Sequence, residues 1–206
     1  MITLDIETTG LFPGRMPPDY IVGIGVLSDS EMRIFSVPHH LFHTSTLPNI
    51  ESLILKDFCN WFGKQPEDFF LTYNGIAFDI PFITTKLFEM GTSGFVDKYA
   101  WNHRMAEQLL ATPNTDLINY AKFVTGKRLS KDDCCRKLGN LYVPRKTEGL
   151  WSARIYKHPH LLTENDHLQM LHHNAVDLTA TARLYNVVKE FPDYAEWRKS
   201  GMKRDG

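Results

Sequence analysis

The segment LDIETTG at residues 4–10 constrains the fold of this chain more than any other stretch. Hydrophobic and polar residues alternate through it with the period of two that is typical of a β-strand. This period places Asp5 and Glu7 on the same face of the predicted strand. Like charges at neighbouring positions on one face repel each other, and a divalent cation would offset that repulsion. An exposed strand face with two unrelated acids is the ordinary alternative, and it leaves the Thr-Thr-Gly turn unexplained.

The overall composition limits the class of protein. The 206 residues are 43% hydrophobic, which is enough apolar material for one sizeable core and predicts a single domain. The sequence contains no run of about 18 apolar residues, so we expect no membrane-spanning segment. Because the chain begins directly in a charged strand without a signal-peptide pattern, we expect a cytoplasmic, reducing location. The cysteines are Cys59, Cys134 and Cys135. Their odd number argues against a disulfide framework, and the absence of a CxxC pair argues against a zinc site.

Charge is unevenly distributed along the chain. The formal net charge is −1, which argues against a protein that coats long stretches of nucleic acid. Residues 122–146 nevertheless carry eight basic side chains against two acids. The basic residues are Lys122, Lys127, Arg128, Lys131, Arg136, Lys137, Arg145 and Lys146. They form either a solvated helix face or a local contact for a phosphate backbone, for which Lys127, Arg128 and Lys131 are candidates.

The remaining pattern predicts strands first and helices after them. Further strands are predicted at 19–28, 32–37 and 69–73. Helices are predicted at 51–63, 80–90, 116–126, 130–139 and 164–190. The pattern is weaker at 92–114, with TPNT as a loop, and irregular at 140–163. This order predicts a mixed α/β layer, with one domain over residues 1–192 and residues 193–206 as a C-terminal tail that is either ordered or frayed.

Two later motifs add acidic residues at similarly inward positions. NGIAFDIPF places Asp79 at a strand-to-helix turn, and HHNAVD places Asp177 on the long predicted helix. Each position is ordinary when taken alone. Four acids that are each set where an apolar element ends or faces inward form a rare coincidence unless they act together. The group consists of Asp5, Glu7, Asp79 and Asp177.

The segments LDIETTG, YNGIAFDIPF and HHNAVD resemble, in order and spacing, the motifs of the DEDD superfamily of 3′→5′ exonucleases. The similarity covers about residues 1–191 and is nearest to the exonuclease domain of family-B DNA polymerases and their stand-alone relatives. It implies a ribonuclease-H-like fold of the α/β class, in which helices flank a mixed sheet of roughly five strands. We expect the site at one edge of that sheet, with two divalent cations, Mg²⁺ or Mn²⁺, as cofactors.

The resemblance implies roles for individual residues. The implied metal ligands are the carboxylates Asp5, Glu7, Asp79 and Asp177. The residues implied to receive the terminal nucleotide on backbone amides are Thr8, Thr9, Gly10 and Leu11, with Leu11 against the base. Asn74 is implied to contact the nucleotide and Phe78 to pack behind it. The chemistry agrees, because carboxylates are hard oxygen ligands, and two divalent ions can activate water and stabilise the departing oxygen in phosphodiester hydrolysis.

The sequence departs from the family pattern at the residue that would act on the water molecule used in hydrolysis. One branch of the family has a tyrosine four residues before the last aspartate, and another has a histidine five residues before it. This chain has histidine at both positions, His173 and His172. His173 shares a helix face with Asp177, whereas the spacing of the histidine branch fits His172. We predict that His173 orients or deprotonates the water, with His172 as the alternative.

The leading hypothesis is therefore a metal-dependent 3′→5′ exonuclease that acts on single-stranded DNA or RNA ends. The small-residue turn after the first strand favours capture of an end. If the protein proofreads, a polymerase or repair protein would be its partner. Two alternatives stay open: a non-catalytic module of the same fold that binds nucleic-acid ends, and an endonuclease of the ribonuclease-H type. DNA and RNA both stay open as substrates, because a backbone carbonyl can recognise the 2′-hydroxyl without leaving a sequence signature.

Overall fold

The computed structural model of the chain describes residues 1–14, 18–65, 69–91, 96–143 and 156–201. The strands are β1 (Ile2–Thr8), β2 (Ile21–Leu27), β3 (Met32–Phe35), β4 (Phe70–Thr72) and β5 (Asn114–Asp116). The α-helices are α1 (Leu41–Thr44), α2 (Leu47–Phe62), α3 (Asp79–Gly91), α4 (Val96–Ala111), α5 (Leu117–Thr125), α6 (Lys131–Lys137), α7 (Glu164–Val188) and α8 (Pro192–Gly201). Within this described part, no helix is both long and apolar enough to cross a membrane.

The five strands form one mixed sheet in the order β3-β2-β1-β4-β5. β2 pairs antiparallel with β1 and β3, while β4 pairs parallel with β1 and β5. Helices pack against this sheet, so the predicted α/β fold with a mixed five-stranded sheet flanked by helices is confirmed. β1 is the central strand because β4 and β5 continue the sheet on its second side. Asp5 and Glu7 therefore lie over the middle of the sheet, whereas the sequence analysis expected a site at one edge.

Two elements formed where the sequence pattern was weak. β5 lies in the segment expected as a loop, because its residues Asn-Thr-Asp carry no hydrophobic alternation. Pairing with β4, in which Thr72 lies opposite Asp116, makes this segment a strand. α4 occupies most of the region at 92–114 that carried the weaker pattern. The other predicted elements are present and differ from the structure mainly at their ends.

The hydrophobic core consists of two clusters that meet at the sheet. Phe70 and Leu71 are adjacent in β4 and point into different clusters, as successive strand residues do. Phe58 and Phe82 belong to the first cluster, which packs α2 and α3 against the sheet. Leu184 belongs to the second, which packs β4 against α5 and the C-terminal half of α7. β1 runs between covered faces, so Thr3 and Glu7 on this strand are buried although they are polar.

The segment after residue 192 packs against the domain. α8 covers most of the residues that the sequence analysis set apart as a tail. Tyr194 is buried, and its ring meets that of Tyr120 in α5 at 5.4 Å between centroids. Arg198 donates a hydrogen bond to Thr115 Oγ1 in β5 at 2.8 Å. These aromatic and polar contacts explain why this segment is a docked helix as far as residue 201.

Candidate active site

Four acidic side chains from three elements converge beside the central strand. Asp5 and Glu7 lie on β1, Asp79 begins α3, and Asp177 lies on α7. α7 packs across β1 and thereby brings Asp177 towards the two acids of that strand. Asp79 is joined to the same strand, because its Oδ1 accepts a hydrogen bond from the Ile6 backbone N–H at 3.0 Å. The four predicted carboxylates therefore lie together.

A lysine that the sequence analysis did not place among the acids lies between two of them. Lys131 Nζ is 3.1 Å from Asp5 Oδ1 and 3.0 Å from Asp177 Oδ2, and the lysine side chain is only 10% exposed. Lys131 is the first residue of α6, after the N-cap Ser130. The sequence carried a signal for this position. The buried Cys134 and Cys135 follow Lys131 by three and four residues and share its helix face, so Lys131 points inward.

Burial makes the negative charge of this cluster costly. Burial raises the pKa of Asp5, and the neighbouring Lys131 ammonium partly opposes that rise. Burial and the charge of Asp5 raise the pKa of Glu7 and of Asp79 well above the usual range. Burial lowers the pKa of Lys131, but Asp5 and Asp177 more than offset this effect, so its pKa lies above the usual value. The cluster therefore favours additional positive charge.

Asn174 is a second residue of the site that the sequence analysis missed. It lies on α7, three residues before Asp177, and its side chain is fully buried. Its Nδ2 donates a hydrogen bond to Asp5 Oδ2 at 3.0 Å and lies 3.4 Å from Glu7 Oε1. The spacing of three residues from Asp177 places both side chains on one helix face, which is the signal that could have identified Asn174.

The two candidate histidines have different surroundings. His173 Nε2 lies 3.6 Å from Asp177 Oδ2 and 4.0 Å from Glu7 Oε1. His172 is exposed and lines a cavity of about 290 Å³ that also includes Cys135 and Arg183. The structure thus brings His173 to the carboxylates and places His172 on another side of α7, as their helix positions require.

The loop after β1 is only partly available to a ligand. Thr8 and Thr9 are buried, and the Thr9 backbone N–H donates to the Tyr20 carbonyl at 2.8 Å. This amide is engaged because strand pairing continues past the end of β1, so it does not fit the nucleotide contact implied by the resemblance. The Thr8 hydroxyl donates to the Gly10 carbonyl. Leu11, by contrast, is 67% exposed and remains a suitable surface for a base.

The turn after β4 is held in shape by a buried acid. Asn74 has a positive φ of 74°, a conformation that asparagine tolerates better than most residues. Asp116 stabilises it, since its carboxylate accepts from the backbone N–H groups of Asn74 at 2.6 Å and Ile76 at 3.0 Å. The Asn74 side-chain oxygen accepts from Arg128 at 2.7 Å. The structure therefore joins two predicted substrate-binding residues, Asn74 and Arg128.

The other predicted substrate-binding residues lie near this turn. Phe78 is half-buried, and its ring packs edge-on against Phe82 at 5.6 Å. Lys127 is exposed just after α5. The basic stretch noted in the sequence continues to Arg145 and Lys146, which lie outside the described residues.

Comparison of the sequence with family models identifies the family of this chain. A family model of the RNase H superfamily matches residues 2–189. The chain belongs to the RNase H superfamily. No curated protein matches the chain. Because RNase H superfamily enzymes generally hydrolyse phosphodiester bonds, the family supports a nuclease-type hydrolase whose substrate is nucleic acid.

Nucleases of the RNase H superfamily generally use divalent metal ions, and the donor set here fits a hard cation. Across the described ranges, no group of three or more His, Cys, Asp or Glu side chains is arranged to hold a metal ion. The Lys131 ammonium instead contacts Asp5 and Asp177 directly. Positive charge is therefore favoured beside these acids, and carboxylate oxygens are the type of donor that Mg²⁺ and Mn²⁺ prefer.

Proposed function

We propose that this protein is a metal-dependent 3′→5′ exonuclease that removes nucleotides from single-stranded DNA or RNA ends. The observation that carries this proposal is the convergence of the four carboxylates next to the loop after β1. That loop presents the exposed Leu11 within a few residues of Asp5 and Glu7. A nuclease that acts on ends needs such a surface against the terminal base, in addition to its hydrolytic groups.

The carboxylates that would hold two divalent cations, Mg²⁺ or Mn²⁺, are Asp5, Glu7, Asp79 and Asp177. When bound, these ions supply an activated water and stabilise charge on the departing oxygen. His173 takes the role of orienting the water or accepting its proton. Its position beside Asp177 and Glu7 supports this role, because nearby carboxylates favour the imidazolium that forms after proton transfer.

The residues that would contact the substrate strand lie in three segments, which follow β1, β4 and α5. Leu11 supplies an apolar surface for the terminal base, and Phe78 packs behind the site. The Asn74 amide, whose oxygen is engaged by Arg128, would contact the nucleotide. Lys127 and Arg128 would hold phosphates upstream of the scissile bond, because both are exposed next to this turn.

The experiment that tests the proposal is digestion of matched 5′-labelled single-stranded DNA and RNA oligonucleotides, with Mg²⁺, Mn²⁺ or EDTA. We expect stepwise shortening from the 3′ end that requires metal and disappears in Asp5→Ala. Asp29→Ala, in the exposed turn between β2 and β3, is the matched control and should retain activity. In the same assay, His173→Ala should lower the rate by about 10²-fold or more, and His172→Ala by less than about twofold. Intact substrate under all metal conditions would contradict the proposal.

One observation favours a second candidate, a module of the same fold that binds nucleic-acid ends without cleaving them. Lys131 supplies a positive charge to Asp5 and Asp177 from within the chain, and a binding module needs no other cation there. Such a module would retain oligonucleotide binding in EDTA and show no turnover with metal. A circular RNA substrate, tested both single-stranded and annealed to complementary DNA, separates the remaining alternative, because it lacks ends and only an endonuclease can cut it.

A further inference from the structure

Two glycines interrupt β2 directly opposite the acids of β1. In the antiparallel pairing, Gly25 lies opposite Asp5 and Gly23 lies opposite Glu7. Glycine inside a strand weakens it, and it often marks a place where another part of the chain approaches closely. The helix that approaches here is α7, which packs on both strands. The space that α7 leaves for a side chain differs between the two glycines.

A Cβ atom would be crowded to a different degree at the two glycine positions. A Cβ at Gly25 would collide with Asn174 Oδ1 and lie 2.8 Å from both Asn174 Cγ and Leu178 Cδ1. A Cβ at Gly23 would lie 3.1 Å from Met170 Sδ, near the end of a flexible side chain. Met170 can move by the few tenths of an ångström that such a contact demands. Of the two glycines, only Gly25 is therefore required, and it is required chiefly by Asn174, because the Leu178 methyl group ends a flexible side chain that can move.

The two ends of the Asn174 amide face different surroundings. Its oxygen has no hydrogen-bond partner among the described residues and lies over Gly25. Its Nδ2 donates to Asp5 Oδ2 at 3.0 Å and lies 3.4 Å from Glu7 Oε1. A buried acceptor without a hydrogen-bond partner is unfavourable. The fold tolerates the unpaired Asn174 oxygen because the nitrogen of the same amide reaches two carboxylates. The amide nitrogen carries two hydrogens, and it lies within hydrogen-bond distance of both carboxylates and of the Asp5 carbonyl oxygen, the last at 3.4 Å.

We propose that Asn174 is a positioning residue that fixes the relative orientation of the Asp5 and Glu7 carboxylates, and that Gly25 makes the space for it. Two like charges on one strand face repel, and a donor between them holds both in one arrangement before any ligand binds. This inference rests on the proposed function to the extent that the two acids bind metal. Residues that orient metal ligands typically change metal affinity by about 10–100-fold when they are substituted.

The test measures Mn²⁺ affinity of the full chain by electron paramagnetic resonance, which reports binding without requiring turnover. We expect Asn174→Leu, which keeps the number and branching of the side-chain heavy atoms and removes the donor, to weaken Mn²⁺ binding by about 10–100-fold. Gly25→Ala should have an effect of the same size, although it alters no acid and no residue of α7. Gly23→Ala is the matched control, and its affinity should stay within about twofold of the wild type.

A double substitution keeps the test informative if Gly25→Ala folds poorly. Asn174→Ala removes the nearest atoms that Gly25→Ala would strike and leaves only Leu178 Cδ1, the end of a flexible side chain, so the combined variant should fold and bind Mn²⁺ about as well as Asn174→Ala alone. Wild-type affinity in Asn174→Leu would overturn the inference, because a packing role alone is preserved by leucine. Equal losses in Gly23→Ala and Gly25→Ala would also overturn it. A wild type that binds no Mn²⁺ would overturn the proposed function and this inference together, whereas the other results leave the proposed function intact.

Discussion

Two lysines lie close to acids in the interior of this protein, and their surroundings differ. Lys86 in α3 is 1% exposed and faces Glu51 in α2 and Glu89, with N–O distances of 3.8 and 3.3 Å. Lys131 in α6 is 10% exposed and faces Asp5 and Asp177 at 3.1 and 3.0 Å. The two lysines thus make similar ion pairs, but only Lys131 also has further buried acids nearby, on β1 and at the start of α3.

This difference in charge balance separates a structural pair from a candidate site. At Lys86, one buried acid is matched by one ammonium, and Glu51 Oε1 also accepts from the Ile21 backbone N–H at 2.7 Å. The pair therefore links α2 and α3 to the beginning of β2. At Lys131, one ammonium faces four carboxylates, and the pKa values of Glu7 and Asp79 remain well above the usual range because of burial and Asp5. A cluster of buried acids whose pKa values are shifted together marks a candidate functional site.

The largest expected effect comes from removing each lysine in turn. Lys131→Met and Lys86→Met should each lower the free energy of unfolding by about 3–5 kcal/mol in EDTA, because each leaves buried acids without their ammonium. Saturating Mn²⁺ should restore much of the loss in Lys131→Met, since a ligand that binds the folded state stabilises it. It should restore none in Lys86→Met. Urea unfolding with and without Mn²⁺ measures both effects, and equal responses of the two variants to Mn²⁺ would contradict this comparison.

A smaller effect is expected from the pH dependence of the Lys86 pair. Burial raises the pKa of Glu51 from 4.5 to about 7. Between these values the folded protein keeps the Glu51 proton and the unfolded chain loses it, so stability falls as pH rises through this window. At about 1.4 kcal/mol per pKa unit, the loss attributable to Glu51 is about 3 kcal/mol.

Glu51→Gln isolates this contribution because glutamine does not ionise. Unfolding measured at pH 4.5 and pH 8 should show a decrease in stability that is about 3 kcal/mol smaller in Glu51→Gln than in the wild type. The wild type serves as its own reference at pH 4.5, where Glu51 is largely protonated in the folded state. Parallel pH profiles for the two proteins would show that Glu51 ionises at its ordinary pKa in the fold.

The sequence predicted the fold and the acids for physical reasons that are local. Strand alternation identified Asp5 and Glu7 as a pair on one strand face. The RNase H superfamily fold agrees with the expected mixed sheet. β5 could not be predicted, because its three polar residues become a strand only by pairing with β4. The functional roles of the four acids remain predictions that the experiments above test.

The contacts of Lys131 and Asn174 with the acids were not predicted, and Lys131 was instead a candidate for binding phosphate, because these contacts depend on distant parts of the chain. Each is a polar residue on a helix, and such residues are usually solvated. They become buried only because α7 packs over β1 and α6 packs against α7, so that Lys131 meets Asp5 across 126 positions and Asn174 meets it across 169. The same packing explains Gly25, whose local sequence gives no reason for a glycine. Local patterns therefore identify the acids, while tertiary packing determines what surrounds them.

The smallest expected effect concerns an ion pair on the same helix as Lys131. Arg136 in α6 pairs with Asp133, but the Arg136 side chain is 72% exposed. Exposed pairs contribute little because water solvates both charges when they separate. Arg136→Ala should therefore leave the midpoint of urea unfolding unchanged within error, and added salt should not separate it from the wild type. Arg136→Ala and Lys131→Met each remove one positive charge from α6. If the midpoint of Arg136→Ala shifted as much as that of Lys131→Met, the net charge of the helix, and not burial among the acids, would determine the effect.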